Sequence, residues 1–103
     1  MPLVQVCSTS DLTEGEIVQV DVAAVGKVAV YLVEGAVYAT ADTCTHGEAS
    51  LAEDGYVEES RVICSWHDGA FDIRTGAPCA LPCNIPLKTY EVVVDGDAVS
   101  INV

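Results

Sequence analysis

The sequence predicts an all-β fold built from antiparallel strands. Short stretches rich in Val, Ile and Tyr alternate with Gly-containing turns, which is the pattern of half-buried strands. Residues 95–97, with the sequence Asp-Gly-Asp, separate two such stretches and indicate a tight hairpin. No segment has a sustained helical period, and residues 10–14 suggest only one capped turn, which Gly15 ends. The predicted strands cover residues 4–7, 17–22, 28–33, 36–40, 89–94 and 98–103.

The middle of the chain, approximately residues 42–86, differs from both ends. Long apolar runs are absent there, Gly and Pro accumulate, and both histidines and four of the five cysteines occur. We therefore expect one domain, residues 1–103, in which a loop-rich insert interrupts a strand-built base of roughly residues 1–41 and 87–103. Because the insert has few apolar residues to bury, we expect a bound metal to stabilise it.

The composition restricts the partners and the compartment. A net charge of −12, from sixteen acidic and four basic side chains, argues against nucleic acid and anionic membrane surfaces, because both repel an acidic chain. The N-terminus has no basic segment followed by a long apolar one, and the longest apolar run, residues 28–33, is too short to span a membrane. An odd number of cysteines, five, fits poorly with a secreted, disulfide-linked domain. We expect a cytoplasmic protein.

Two short motifs place a cysteine beside a histidine. Cys44-Thr45-His46 is a C-x-H motif and Cys64-Ser65-Trp66-His67 is a C-x-x-H motif, with seventeen residues between His46 and Cys64. Two sulfurs and two nitrogens suit either tetrahedral zinc or a [2Fe–2S] cluster with cysteines on one iron and histidines on the other. Structural zinc sites more often pair like ligands in each turn, so the alternating order favours the cluster, with zinc as the alternative.

These motifs resemble the ligand signature of Rieske iron–sulfur proteins. The similarity extends to residues 38–40 (Tyr-Ala-Thr), residues 69–72 (Gly-Ala-Phe-Asp) and residues 75–76 (Thr-Gly). In length and arrangement the chain is similar to the small Rieske ferredoxins of bacterial aromatic-ring-hydroxylating dioxygenase systems, of the naphthalene and biphenyl types. The resemblance implies the Rieske fold, with a cluster-binding insert in an antiparallel base, and one [2Fe–2S] cluster as cofactor.

The resemblance also implies a role for each motif residue. Cys44 and Cys64 would bind the inner iron, and His46 and His67 would bind the outer iron through Nδ1, with Nε2 near the surface. Residues 78–82 resemble the proline-containing third loop of the family, which covers the cluster and limits access of water. The other cysteines are expected to be thiols outside the cluster: Cys7, Cys79 and Cys83.

Four positions imply a low reduction potential within the family. High-potential Rieske proteins of respiratory complexes have a disulfide between the ligand loops and hydroxyl groups against the cluster sulfurs. The corresponding residues here are Ala49, Trp66, Gly69 and Phe71. Hydrogen bonds to sulfur stabilise the reduced cluster, so their absence lowers the potential, and we expect about −150 mV rather than about +300 mV.

The implied function is one-electron transfer and not catalysis. A terminal Rieske oxygenase needs a separate iron held by two histidines and a carboxylate, whereas both histidines here are assigned to the cluster. A Gly-rich dinucleotide motif is also absent from the sequence. In the systems that the chain resembles, an NADH-dependent flavoprotein reductase supplies the electron and a terminal aromatic-ring-hydroxylating oxygenase accepts it.

We therefore expect a monomeric carrier in aromatic hydrocarbon catabolism, whose partners present basic docking faces to acidic residues such as Glu48 and Asp68. The alternatives are a Rieske-like small subunit of another redox enzyme, such as nitrite reductase, and a structural zinc-binding interaction module.

Overall fold

Three antiparallel sheets form the protein in the computed structural model, which describes residues 3–45, 49–65, 69–81 and 85–103. The first sheet consists of β1 (Leu3–Ser8), β10 (Val92–Asp95) and β11 (Ala98–Asn102), with β11 in the centre. The second has, in order, β2 (Ile17–Val22), β3 (Gly26–Val33), β4 (Ala36–Ala41) and β9 (Thr89–Tyr90). The third has, in order, β5 (Gly55–Glu58), β6 (Arg61–Cys64), β7 (Gly69–Asp72) and β8 (Pro78–Ala80). The all-β prediction is confirmed.

Helical structure is minor in the described ranges. It consists of a 3₁₀ turn, Thr9–Asp11, and the one-turn helix α1, Leu51–Asp54. The turn lies in the region where the sequence suggests a capped turn, and Ser8 N donates to the Asp11 carboxylate at 2.9 Å. None of the helices in these ranges is long and apolar enough to cross a membrane.

Strand β3 accounts for the longest apolar run of the sequence. Successive side chains point to opposite faces of a strand, and both faces of β3 are buried. Val28 and Val30 belong to an apolar cluster shared with the first sheet, which contains Val22, Val28, Val30, Ala39, Val99 and Ile101. Ala29 and Tyr31 belong to a second cluster, which contains Ala29, Tyr31, Val33, Cys44, Ala49, Leu51, Val62, Cys64, Phe71, Ile73 and Leu87. The second sheet therefore forms a layer between the other two.

The stretch predicted as one strand over residues 89–94 divides between two sheets at Glu91. Tyr90 pairs with Ala39 of β4, whereas Val92 pairs with Ile101 of β11. At the switch, the Glu91 carbonyl accepts a hydrogen bond from Asn102 N at 3.0 Å, and its carboxylate accepts one from Asn102 Nδ2 at 2.9 Å. Apolar alternation predicts a strand without specifying its partner, so the division is not visible in the sequence.

All four strands of the third sheet lie within the segment predicted as a loop-rich insert. Each is three or four residues long, so none produces a long apolar run. They still bury large side chains, because Val62 and Phe71 pair across β6 and β7 and are both fully buried. The insert therefore contributes to the apolar core as well as providing loops.

Gly76 joins the β7–β8 connection to the segment that leads into β9. Its N donates to the Asp72 carbonyl at 2.7 Å, and its carbonyl accepts a hydrogen bond from Leu87 N at 2.8 Å. Gly76 has a φ of 79°, and a Cβ at this position would lie 2.0 Å from the Leu87 carbonyl oxygen. Only glycine allows the two backbones to approach so closely, and this contact holds Leu87 in the core.

Replacing Gly76 with Ala is expected to destabilise the protein by roughly 2–3 kcal/mol, since a left-handed backbone penalty adds to the loss of the Leu87 hydrogen bond. Gly26→Ala is the matched control: Gly26 has a φ of 89° with no atom within 4 Å of the Cβ position. That control should show only the backbone penalty of about 1–2 kcal/mol. Urea titration of the purified variants measures both values, and equal losses would contradict the role of the close contact.

Candidate metal centre

Cys44 and Cys64 occupy matching positions in two hairpins. In the first, Thr43 and Ser50 form an antiparallel bridge, and Cys44 N donates to the Ala49 carbonyl at 2.9 Å. In the second, Cys64 pairs with Gly69 at the end of the β6–β7 ladder. Each cysteine is thus the last paired residue before the chain reverses, and four residues separate it from its pairing partner. Two motifs of similar sequence therefore have similar backbone settings.

Both cysteines are buried in the same apolar cluster. Cys44 is 2% exposed and Cys64 is 4% exposed, and the cluster that contains them includes Leu51 and Phe71. An apolar environment disfavours a free thiolate, whereas coordination to a metal stabilises it. Both sulfurs of the predicted ligand set therefore lie in one buried apolar cluster.

The nitrogen half of that set lies outside the described residues. His46 and His67 fall in residues 46–48 and 66–68, as do Glu48, Trp66 and Asp68, to which the sequence assigns roles beside the site. In the part of the chain that is described, no three side chains of His, Cys, Asp or Glu converge on a common metal position. The structure thus describes the two cysteines and the residues that contact their segments, but not the two histidines.

Asp42 is a buried carboxylate two residues before Cys44. It is 1% exposed, and its Oδ2 accepts hydrogen bonds from Gln19 Nε2 at 2.8 Å and from Ser50 Oγ at 2.6 Å. Its Oδ1 accepts a third from Ala52 N at 2.9 Å. These bonds join the start of the first hairpin to β2 and to α1.

Ser65 anchors the second hairpin to the other end of α1. Ser65 N donates to the Asp54 carbonyl at 3.1 Å, and Ser65 Oγ donates to the same oxygen. The next residue, Gly55, pairs with Cys64. The residue after Cys64 is therefore held by the last residue of the helix.

Tyr31 lies in the same buried cluster as the two cysteines. Its hydroxyl donates to Thr40 Oγ1 at 2.8 Å, since the Thr40 hydroxyl donates in turn to the Ala41 carbonyl at 2.9 Å. Burial raises the pKa of Tyr31 well above its ordinary value; the Thr40 hydrogen bond opposes that shift and the charge of Asp42 adds to it. Tyr31 therefore remains neutral and fully hydrogen-bonded in the core.

The segment that resembles a covering third loop begins as strand β8. Ala80 pairs with Ala70 of β7, and residues 82–84, which include Cys83, lie outside the described ranges. On the far side of that gap, Thr45 Oγ1 donates to the Ile85 carbonyl at 2.8 Å. Leu81 is 80% exposed and Ile85 is 57% exposed. Two exposed apolar side chains thus flank residues 82–84, and one of them is tied to the first hairpin.

The positions used to infer a low potential are apolar and buried where the structure describes them. Ala49 is 1% exposed, Phe71 is 0% exposed, and Gly69 is buried at its pairing with Cys64. None of the three has a side-chain hydroxyl to offer to sulfur. The low reduction potential inferred from these positions stays a prediction.

A comparison with known families identifies this architecture. The Rieske [2Fe–2S] domain matches residues 3–91 of the chain. This chain belongs to the Rieske [2Fe–2S] domain family. As a Rieske protein it has one [2Fe–2S] cluster as its cofactor, which agrees with the cluster interpretation of the motifs and not with zinc.

Relatives of this Rieske protein include small ferredoxin components. It is 48% identical over 101 residues to the ferredoxin component of the p-cumate 2,3-dioxygenase system of Pseudomonas putida, covering 98% of this chain and 86% of the relative. Its structure is similar to the ferredoxin of Sphingomonas yanoikuyae B1, with a TM-score of 0.94, 39% identity and 99% of each chain covered. A ferredoxin solved in complex with the oxygenase of carbazole 1,9a-dioxygenase has a TM-score of 0.89 and 41% identity, covering 96% of this chain and 91% of that one.

The described half of the site fits the family's cofactor. Iron–sulfur clusters are bound by cysteine thiolates, and Rieske clusters replace two of these by histidines on one iron. Two cysteines are buried in the same apolar cluster, and two is the number required for the cysteine-bound iron. Buried apolar neighbours exclude water from the sulfur atoms.

The two other described cysteines, Cys7 and Cys79, lie outside the apolar cluster that contains Cys44 and Cys64. Cys7 is half-buried and packs against the apolar cluster of the first sheet, and burial, aided by the charge of Asp11, raises the pKa of its thiol above the ordinary value. Cys79 is exposed on β8, with its Sγ 3.5 Å from the Ala77 carbonyl oxygen. Their placement supports the prediction that they are not ligands.

Several supporting residues were not predicted from the sequence. Asp42, Thr45 and Ser65 were not singled out, and helix α1 was missed. A signal for the helix exists, because Ser50-x-x-Glu53 has the pattern of a capping box, and Ser50 Oγ accepts a hydrogen bond from Glu53 N at 3.3 Å.

Alkylation with iodoacetamide at pH 8 is expected to modify Cys79 several-fold faster than Cys7 in the native protein. The thiolate is the reactive form, and Cys7 is both less accessible and, with its raised pKa, more fully protonated at this pH. Raising the pH above 8 should therefore increase the rate at which Cys7 is modified. Peptide mass spectrometry measures both rates, with Cys79→Ser as the control for assignment, and equal rates would refute the prediction.

Proposed function

We propose that this chain is a one-electron carrier that passes electrons from an NADH-dependent flavoprotein reductase to a terminal aromatic-ring-hydroxylating oxygenase. The observation that supports this most directly is the similarity, along almost the whole chain, to a dioxygenase-system ferredoxin component at 48% identity. That relative favours a dioxygenase system over the nitrite reductase alternative. The relatives are named ferredoxin components, which are electron carriers and not the catalytic components of their systems.

In this proposal Cys44 and Cys64 hold one iron, and His46 and His67 hold the other. When bound, the cluster supplies one-electron redox chemistry at a site that needs no substrate pocket. The chain's own residues bury the sulfur ligands, orient the two hairpins and exclude water. The buried position of both cysteines in the same apolar cluster supports their half of this assignment.

The same proposal covers the organisation and location of the chain. A single Rieske domain over residues 1–103, with an insert over approximately 42–86, is supported by a third sheet whose strands all lie within the insert. The cytoplasm is the proposed compartment, because metal-binding cysteines are typical of reducing environments. A monomeric state suits a carrier of this size.

The terminal oxygenase is proposed to dock beside residues 81–85. Leu81 and Ile85 are among the large apolar side chains that are most exposed in the described residues, and apolar groups in contact surfaces lose unfavourable hydration on binding. Redox partners form small, short-lived interfaces, so a few such side chains suffice. A ferredoxin of 41% identity has been solved in complex with an oxygenase, which supports an oxygenase as the partner.

Reduction of this protein should produce an electron paramagnetic resonance signal with the low average g value of mixed Cys and His ligation. Cys44→Ser and Cys64→Ser should each abolish at least most of that signal, since loss of a thiolate ligand removes an iron–sulfur bond. Cys7→Ser and Cys79→Ser are the matched controls and should retain it. A colourless, zinc-containing protein would overturn the proposal, and so would a full signal in Cys44→Ser.

Leu81→Asn is expected to slow reduction of the oxygenase by about fivefold, which corresponds to the loss of about 1 kcal/mol of interface stabilisation. Leu3→Asn is the matched control, because Leu3 is 52% exposed on β1 of the first sheet. Stopped-flow mixing of reduced carrier with oxidised oxygenase at varied carrier concentration measures both rates. Equal rates for the two variants, with unchanged cluster spectra, would place the docking site elsewhere.

A further inference from the structure

Helix α1 is bonded at its N-terminal end to the residue that introduces the first hairpin. Leu51 N donates to the Asp42 carbonyl at 2.8 Å, and Ala52 N donates to Asp42 Oδ1 at 2.9 Å. Ser50, the N-cap residue, donates through Oγ to Asp42 Oδ2 at 2.6 Å. Three hydrogen bonds thus fix Asp42, and through it the start of the Cys44 segment, to one end of the helix.

The C-terminal end of α1 is bonded to the residue that begins the second reversal. The Asp54 carbonyl accepts hydrogen bonds from both N and Oγ of Ser65. Gly55 pairs with Cys64, and a Cβ at Gly55 would lie 2.6 Å from the Leu51 carbonyl oxygen. The helix therefore leads directly into the β5–β6 ladder, in which its C-cap residue pairs with Cys64.

Asp42 also introduces a charge into the interior. Its carboxylate faces three donors, from Gln19, Ser50 and Ala52, which is the arrangement that an ionised carboxylate requires. Among the described residues it forms no salt bridge. A negative charge that is shielded from water disfavours the addition of an electron to a redox group near it, and Asp42 is two residues from Cys44, a proposed ligand.

We propose that Asp42, helix α1 and Ser65 form a clamp that sets the spacing of the two ligand hairpins, with Asp42 as a positioning residue. Asp42 acts through Cys44 and not by contact with the cluster, and its buried charge lowers the reduction potential. The inference rests on the proposed assignment of Cys44 and Cys64 as ligands. It adds to that function a structural origin for the ligand spacing and a second origin for a low potential.

Asp42→Asn tests the charge, because the amide has the same shape and its oxygen can still accept from Ala52 N. The Gln19 amide and the Ser50 hydroxyl can reorient to match the new donor. Protein-film voltammetry of the holoprotein should show a midpoint potential higher than that of Asp95→Asn, the matched control at the exposed end of strand β10. A purely structural role would alter stability without moving the potential in this direction. Equal potentials in the two variants would overturn the role of the charge.

Asp42→Ala and Ser65→Ala test the clamp at its two ends. Release of iron from the holoprotein to a chelator should be about fivefold faster in Ser65→Ala, which loses one side-chain hydrogen bond of about 1 kcal/mol. Release should be faster still in Asp42→Ala, whose carboxylate accepts three hydrogen bonds. Asp95→Ala and Ser10→Ala, both at exposed positions, are the controls. The fold-increase in the rate of iron release in the double variant should be smaller than the product of the two single fold-increases, because each substitution already opens the same clamp.

Loss of the cluster from Asp42→Ala during purification, with Asp95→Ala intact, would be the extreme form of the expected result. Release rates equal to those of the controls, or fully multiplicative effects in the double variant, would overturn the clamp. These results are read against the unsubstituted protein, whose reduced spectrum must show the cluster. Absence of that spectrum would instead overturn the proposed function.

Discussion

The burial of two cysteines in one apolar cluster is the constraint on which the rest of the structure depends. Cys44 and Cys64 are twenty positions apart in the sequence, and an ionised thiolate in an apolar interior is unstable unless a metal neutralises it. The fold fixes the positions of the two cysteines by placing each at the last pair of a hairpin. Antiparallel pairing fixes the backbone at that point. The strand pairing therefore holds the two cysteines that we propose as the sulfur ligands.

The strands of the base could be predicted because each has a strong local pattern. The predicted strand over 17–22 agrees with β2 at both ends, and the continuous apolar run in β3 reflects burial on both faces. The third sheet could not be predicted in the same way. Its strands are so short that Val62 or Phe71 alone represents most of a strand's apolar signal. Pairing partners, as at Glu91, depend on the whole fold and leave no local trace.

The candidate site divides along a similar line. The two motifs are recognisable because ligand chemistry requires particular side chains at fixed spacing, and four residues of the sequence meet that requirement. Asp42 and Ser65 are hydrogen-bonded to a helix of one turn, and such a helix has no period to detect. An aspartate followed by a serine eight residues later is unremarkable until the fold places their oxygen atoms 2.6 Å apart. Supporting residues are thus harder to predict than ligands, because their identity is set by neighbours that only the tertiary structure defines.

The net charge of −12 takes on a different meaning once the charges are placed. Among the described acidic side chains all except Asp42 are at least partly exposed, where water and salt screen them within about 10 Å. An oxidised cluster with two cysteinates and neutral histidines is formally uncharged, and reduction adds one negative charge. Surface carboxylates therefore affect mainly the approach of partners, whereas Asp42, at 1% exposure, is the described acidic residue whose charge we propose lowers the reduction potential. Position, and not number, decides what each negative charge contributes to this protein.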